Sequence, residues 1–120
     1  MSQLNQIDCL YRYSVKPGKE AVFQSYIDKV FPVTEKEEPY VLEYSISKQV
    51  DGSYLQHERF ESEEAIVRHL EKTAAGQADF HESTEIIIMM ITGDLTMDFW
   101  KKFEGPKFIN FTKYREVKRK

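Results

Sequence analysis

Apolar and polar positions along this chain change period several times, and each change marks an element. Residues 7–15, IDCLYRYSV, alternate: Ile7, Cys9, Tyr11, Tyr13 and Val15 share one face, while Asp8, Arg12 and Ser14 share the other. A period of two is that of a strand. Pro17-Gly18 then turns the chain. Val22, Phe23, Tyr26, Ile27, Val30 and Phe31 recur at helical spacing, opposite Glu20, Gln24, Ser25, Asp28 and Lys29. Pro32 is the expected end of this helix, with a restart through VTEKEE before Pro39 as the alternative. Alternation returns over 40–48, with Tyr40, Leu42, Tyr44 and Ile46 on one face. Asp51-Gly52 makes a hairpin turn, because glycine accepts positive φ cheaply. The partner strand, 53–60, places Tyr54, Gln56, Glu58 and Phe60 on one side and Leu55, His57 and Arg59 on the other.

Ser62 is suited to cap a second helix, and Glu63 and Glu64 suit its positive end. Its inner stripe is Ala65, Ile66, His69 and Leu70, and Gly76 weakens it, so that it continues or restarts to about Ser83. TEIIIMMIT is a β-branched strand expected to be mostly buried. A short helix after Gly93-Asp94 clusters Leu95, Phe99, Trp100 and Phe103 and stops at Gly105-Pro106. KFINFTKYREV is read as a last strand. The class is therefore α+β, with the ferredoxin-like order β-α-β-β-α-β, an antiparallel sheet with helices on one face, and an added C-terminal α-β. One domain is expected over residues 1–120, with a core at about 7–93 and an extension at about 94–117. The uncovered sheet face would carry Leu10 and Leu55 among polar groups, and such a face is often covered by a second copy of itself.

Composition narrows the function classes. The 120 residues are 41% apolar, enough for a real core, and include 8 Phe, 7 Tyr and 1 Trp. The net charge of −3 provides no basic field for nucleic acid or an anionic membrane. An RNA-recognition domain shares the element order, but SYLQHERF lacks the glycine and basic start of its signature strand. The single Cys9 cannot form an internal disulfide, and it reads as a small buried hydrophobe in a reducing compartment. The opening MSQLNQIDCL has no signal-peptide core, and IIIMMI at 86–91 is too short to cross a bilayer. A cytoplasmic protein is the expectation. The basic end KYREVKRK reads as a solvated tail.

Three stretches resemble the antibiotic biosynthesis monooxygenase family of dimeric α/β-barrel proteins: YSVKPGKE after the first strand, EEPYVLEYSISKQVDGSYLQHERFES through the hairpin, and EEAIVRHL on the second helix. The family commonly shows a KPG turn, a Glu-Pro-Gly entry to the second strand and a histidine in the middle of the second helix; Tyr40 stands where that glycine is usual. The likeness spans residues 7 to about 93, and GDLTMDFWKKFEGPKFINFTKY resembles the extension of one subgroup. The resemblance implies a homodimer paired through the open sheet face, with a pocket in each subunit between helices and sheet. Some members oxygenate polycyclic phenols, or oxidise quinols, with molecular oxygen and neither metal nor flavin. Others degrade haem.

Such chemistry needs an apolar pocket for an aromatic ring and a few polar groups that accept a proton or hold an oxyanion. Tyr11, Tyr13, Tyr44, Glu58 and Phe60 share the parity that faces the helices, and His69 faces back toward them. A neutral imidazole accepts a proton near pH 7, so His69 is the candidate base, with Glu58 setting protonation. Tyr11, Tyr13 and Tyr44 are candidates to orient a small aromatic substrate as donors, and Phe60 and Trp100 to wall the site. Each has a plainer reading: a satisfied core imidazole, amphipathic core tyrosines, a Glu58 paired with Arg12 or Arg68, and a Trp100 that staples the extension to the core. A metal is not expected, since parity separates His57 from Glu58 and no ligand motif joins them to His69 and His81. Haem degradation is disfavoured, because Tyr11 and Phe60 occupy the positions of the Asn and Trp typical of haem-degrading relatives, with His81 the candidate haem ligand. The leading expectation is a cofactor-independent monooxygenase for a small phenolic or quinol-type substrate; the alternatives are a non-catalytic dimeric binding protein of the same fold and a haem-binding relative.

Overall fold

The computed structural model describes residues 6–119, so the polar opening at 1–5 and Lys120 lie outside the described residues. The elements are β1 (Ile7–Val15), α1 (Glu20–Glu37), β2 (Val41–Lys48), β3 (Tyr54–Phe60), α2 (Glu63–Lys72), α3 (Ala74–Ser83), β4 (Thr84–Thr92), α4 (Met97–Lys101) and β5 (Phe108–Phe111). They form one sheet in the order β2-β3-β1-β4-β5. The first four strands pair antiparallel, as the ferredoxin-like reading requires. The fifth pairs parallel to β4 and spans only four residues, so the antiparallel rule stops at the extension and 112–119 continue without strand structure.

Strand parity holds where it was clearest. Ile7, Cys9, Tyr11 and Tyr13 are buried on β1, and Gln56, Glu58 and Phe60 on β3, beneath the helices. Leu10, His57 and Met90 are register partners on the opposite, open face, where Leu55 and Ile109 are exposed. Register shifts break the pattern twice. One between Val41 and Glu43 turns Leu42 outward, leaving it 45% exposed, while Tyr40 and Tyr44 stay inside. The other, opposite Arg12 and Tyr13, leaves Ile87 exposed, so β4 is half-buried rather than mostly buried.

The helices depart from their expected ends for packing reasons. Pro32 does not end α1, which runs through it to Glu37. One ladder bond is lost there, but Val30 and Thr34 on either side are buried and hold the two halves together. The second helical segment breaks at Thr73, whose side chain donates to the His69 carbonyl at 2.6 Å, and not at Gly76. Gly76 is where α3 crosses α1: a Cβ there would stand 2.3 Å from Val30 Cγ2. Val30 is fully buried and β-branched, so it cannot swing away.

Gly76→Ala is therefore expected to lower stability by about 1–3 kcal/mol through overpacking, although alanine is the better helix former. Urea unfolding checks this; an unchanged or raised midpoint would mean that α1 and α3 do not meet this closely.

Candidate functional site

Closing this core buries a set of polar side chains that have mainly one another to bond to. Ser62 accepts from the Ala65 amide at 3.2 Å and fixes the phase of α2, so that Ala65, Ile66 and His69 face inward. His69 is only 1% exposed. Its Nδ1 stands 2.8 Å from Oε1 of Glu38, at the end of α1, itself 2% exposed. The same carboxylate accepts from Thr34 Oγ1 and from the Tyr40 hydroxyl, both at 2.8 Å. A carboxylate only accepts, so Nδ1 carries a ring proton, and in the neutral imidazole Nε2 presents a lone pair. Nε2 has long contacts alone: the Tyr44 hydroxyl at 3.3 Å and Gln77 Nε2 at 3.4 Å.

Behind Tyr44 the bonds are short. Tyr44 and Tyr26 hydroxyls meet at 2.6 Å. Gln56 donates to Tyr26 at 2.8 Å and to Glu58 Oε2 at 2.7 Å, and its carbonyl accepts from Tyr13 at 2.8 Å. Tyr26 thus accepts from the Gln56 amide, and either of the Tyr26 and Tyr44 hydroxyls can donate to the other. The contacts join Gln56, Tyr26, Tyr44, His69 and Glu38 in one series. Glu58 Oε2 receives a second donor, the Tyr11 hydroxyl.

Burial dominates the electrostatics. It pushes the Glu58 carboxyl above the usual carboxylate range, although His69 and the bonds from Tyr11, Gln56 and Tyr44 pull the other way. Burial, then the Glu58 charge, pushes Tyr11 and Tyr44 well above the ordinary phenol range, and burial does the same to Tyr13 and Tyr26. These hydroxyls stay protonated, so they are donors and not bases.

A cavity of about 150 Å³ lies between α2, α3 and the β1–β4 side of the sheet. Tyr11, Glu58, His69 and Gln77 give it one polar patch. The rest of its lining is mainly apolar, including Ile66, Phe80, Ile86, Met89, Ile91 and Phe103. Leu70 and His81, both exposed, mark where it meets solvent. A wider groove of about 470 Å³, between the end of α1 and β2, touches the far side of Glu38 and Tyr44. Its one buried carboxylate, Glu38, already has three partners.

The residues singled out from sequence thus divide. His69, Glu58 and Tyr11 line the cavity. Tyr44 stands across His69 on the groove side, and Tyr13 lies one step behind Gln56. Phe60 is fully buried, its ring 5.5 Å from that of His69. Trp100 is not in the lining; it packs edge-on against Phe108 at 5.8 Å, a contact within the extension itself, and the extension contributes Phe103 to the wall instead. Cys9 is buried and also borders the cavity. Glu58 pairs with neither arginine: Arg12 bonds Ser53, and Arg68 lies 4.3 Å over the Tyr40 ring.

Four members of the network were not singled out: Glu38, Gln56, Tyr26 and Gln77. Gln56 was readable, since it shares the inward parity of Glu58. Among the described residues, no three His, Cys, Asp or Glu side chains converge as a metal site. A porphyrin does not fit the cavity, and His81 is exposed at its mouth.

No family's sequence model matches the chain, and no curated protein matches it. Solved structures do. MupZ from Pseudomonas fluorescens superposes with a TM-score of 0.72 at 18% identity, over 96% of this chain and 95% of that one. SnoaB from Streptomyces nogalater, described as a cofactor-independent oxygenase, gives 0.59 at 14% identity, over 78% of this chain and 97% of that one. A Caulobacter crescentus protein named as a candidate antibiotic biosynthesis monooxygenase gives 0.60 at 20% identity, over 74% of this chain and 87% of that one. At these identities the likeness is one of fold. The chain has the ferredoxin-like fold of proteins named antibiotic biosynthesis monooxygenases.

Glu58 makes a pH test. Folded, it holds its proton more tightly than the unfolded chain does, so between its ordinary value of 4.5 and its raised folded value the native state carries more protons. Native stability then falls as pH rises through that window. Glu58→Gln keeps an acceptor for Tyr11 and Gln56 without the charge, so it should gain on wild type in urea unfolding as pH rises from 4.5 through the raised folded value. Parallel pH profiles for the two proteins would contradict a raised Glu58.

Proposed function

We propose that the protein is a cofactor-independent monooxygenase acting on a small phenolic or quinol-type substrate, with His69 as its base. The observation that carries this reading is the asymmetry of the imidazole. Nδ1 is fixed by a buried carboxylate at 2.8 Å, while Nε2 faces a mainly apolar cavity with contacts no shorter than 3.3 Å. A phenolic hydroxyl at Nε2 would make the short bond that is missing and give up its proton there. Glu38 stabilises the imidazolium.

Losing a proton makes the ring electron-rich enough to give an electron to oxygen. Radical recombination forms a ring peroxide, and loss of water from it leaves a quinone. One oxygen atom enters the ring, the other leaves as water, and the substrate supplies every electron. SnoaB's description as a cofactor-independent oxygenase supports this class of reaction. We further read the open sheet face, with Leu55 and Ile109 exposed, as the contact between two copies.

The test is oxygen uptake on a panel of phenols and quinols in metal-free buffer. His69→Asn keeps a donor toward Glu38 but has no basic nitrogen, so it should fold and lose at least about 100-fold in rate. Equal uptake by the two proteins would remove His69 as base, and no uptake by either would favour a binding protein. Sedimentation velocity should find a dimer that Leu55→Glu weakens; a wild-type monomer at all concentrations would reject the pairing.

A further inference from the structure

We infer that the C-terminal extension sets the ligand class: Phe103 closes the cavity down to one aromatic ring, and the substrate is a single-ring phenol with its hydroxyl at His69 and an apolar substituent opposite. This rests on the site reading above and narrows it. A cavity of about 150 Å³ is of the size that accepts one benzene ring in a protein interior. Apart from His81 at the mouth, its polar groups are Tyr11, Glu58, His69 and Gln77, so a second hydroxyl against Ile86, Met89 or Ile91 would find no partner there.

Among the described residues, Phe103 is the one cavity residue that comes from beyond β4. It is held by Phe99 and Phe108, with ring centroids 5.1 and 5.9 Å away. Phe108 pairs in register with Met89, which lines the same cavity. The extension is itself fixed at several points. Asn110 Nδ2 donates to the Ile91 and Gly93 carbonyls at 3.0 and 3.2 Å. Thr96 donates to Glu63 at the start of α2 through both its amide and its hydroxyl. Phe103 is thus a placed wall and not a loose side chain, which makes it the specificity-determining residue.

Calorimetric titration tests this with three probes: para-ethylphenol, para-hydroxybenzyl alcohol and phenanthrol. Wild type should bind para-ethylphenol at least about tenfold more tightly than either other probe. Phe103→Ala, and the milder Phe103→Leu if alanine loosens the fold, should bind phenanthrol more tightly and erase most of that preference. The inference fails if wild type binds phenanthrol as well as para-ethylphenol, if it binds none of the three, or if the folded variants keep the wild-type ratio. The readout is separate from turnover. The expected size order without oxygen uptake would keep this inference and remove the oxygenase reading. Uptake with polycyclic phenols alone would do the reverse.

Discussion

The buried contact between His69 and the Glu38 carboxylate organises the surrounding structure, because it joins three elements at one charge. Thr34 and Glu38 come from the end of α1, Tyr40 from the entry to β2, and His69 from α2. A carboxylate out of water is costly unless its lone pairs are filled, and here three donors fill them. Deleting one donor to such a carboxylate commonly costs about 1–3 kcal/mol, as the penalty of a buried acceptor left unsatisfied. The pair therefore adds little net stability, but it fixes the arrangement: α2 cannot rotate, nor α1 stop early, without stranding Glu38.

That constraint explains why α1 continues through Pro32. Ending there would remove Thr34 and Glu38 and leave His69 without its anchor. It also anchors one end of a hydrogen-bonded series. Gln56 spends both amide hydrogens and its carbonyl, so it ties Tyr13, Tyr26 and Glu58 together, Tyr26 bonds Tyr44, and Tyr44 lies against Nε2. Burial keeps the phenols protonated, so none of them can take the base's place. Of the two acceptors on the cavity, Glu58 already holds two donors on one oxygen, while Nε2 holds only long contacts.

Much of this was legible in the sequence, and the missing parts have definable causes. Period two placed Tyr11, Glu58 and Phe60 inside, because a pleated strand leaves no other choice. Helical spacing and the Ser62 cap placed His69. Leu42 was misplaced because a register shift changes parity without any mark in composition. Gly76 read as a weak point in a helix, whereas it is a contact whose cause, Val30, lies far away in sequence. Glu38 was hidden by its neighbours: within EKEE it looks like one more solvated charge, and only folding shows that the chain turns its carboxylate inward before Pro39. Local patterns report which face a residue takes; they do not report which of several like charges has been enclosed.

The extension shows how topology reaches the site. Without β5, β4 would be an exposed edge of branched apolar residues, a template for association. An antiparallel cover could have followed from a tight hairpin. A parallel one needs a crossover, and the crossover must lie across one face of the sheet. Here residues 93–107 make that passage on the helix side, carrying α4 and burying Phe99. Phe103 reaches the cavity on the way. Shielding the edge with a parallel strand and walling the pocket are thus one structural event, so a change in the length of this crossover would alter the pocket even if every residue on β1, β3 and α2 were kept.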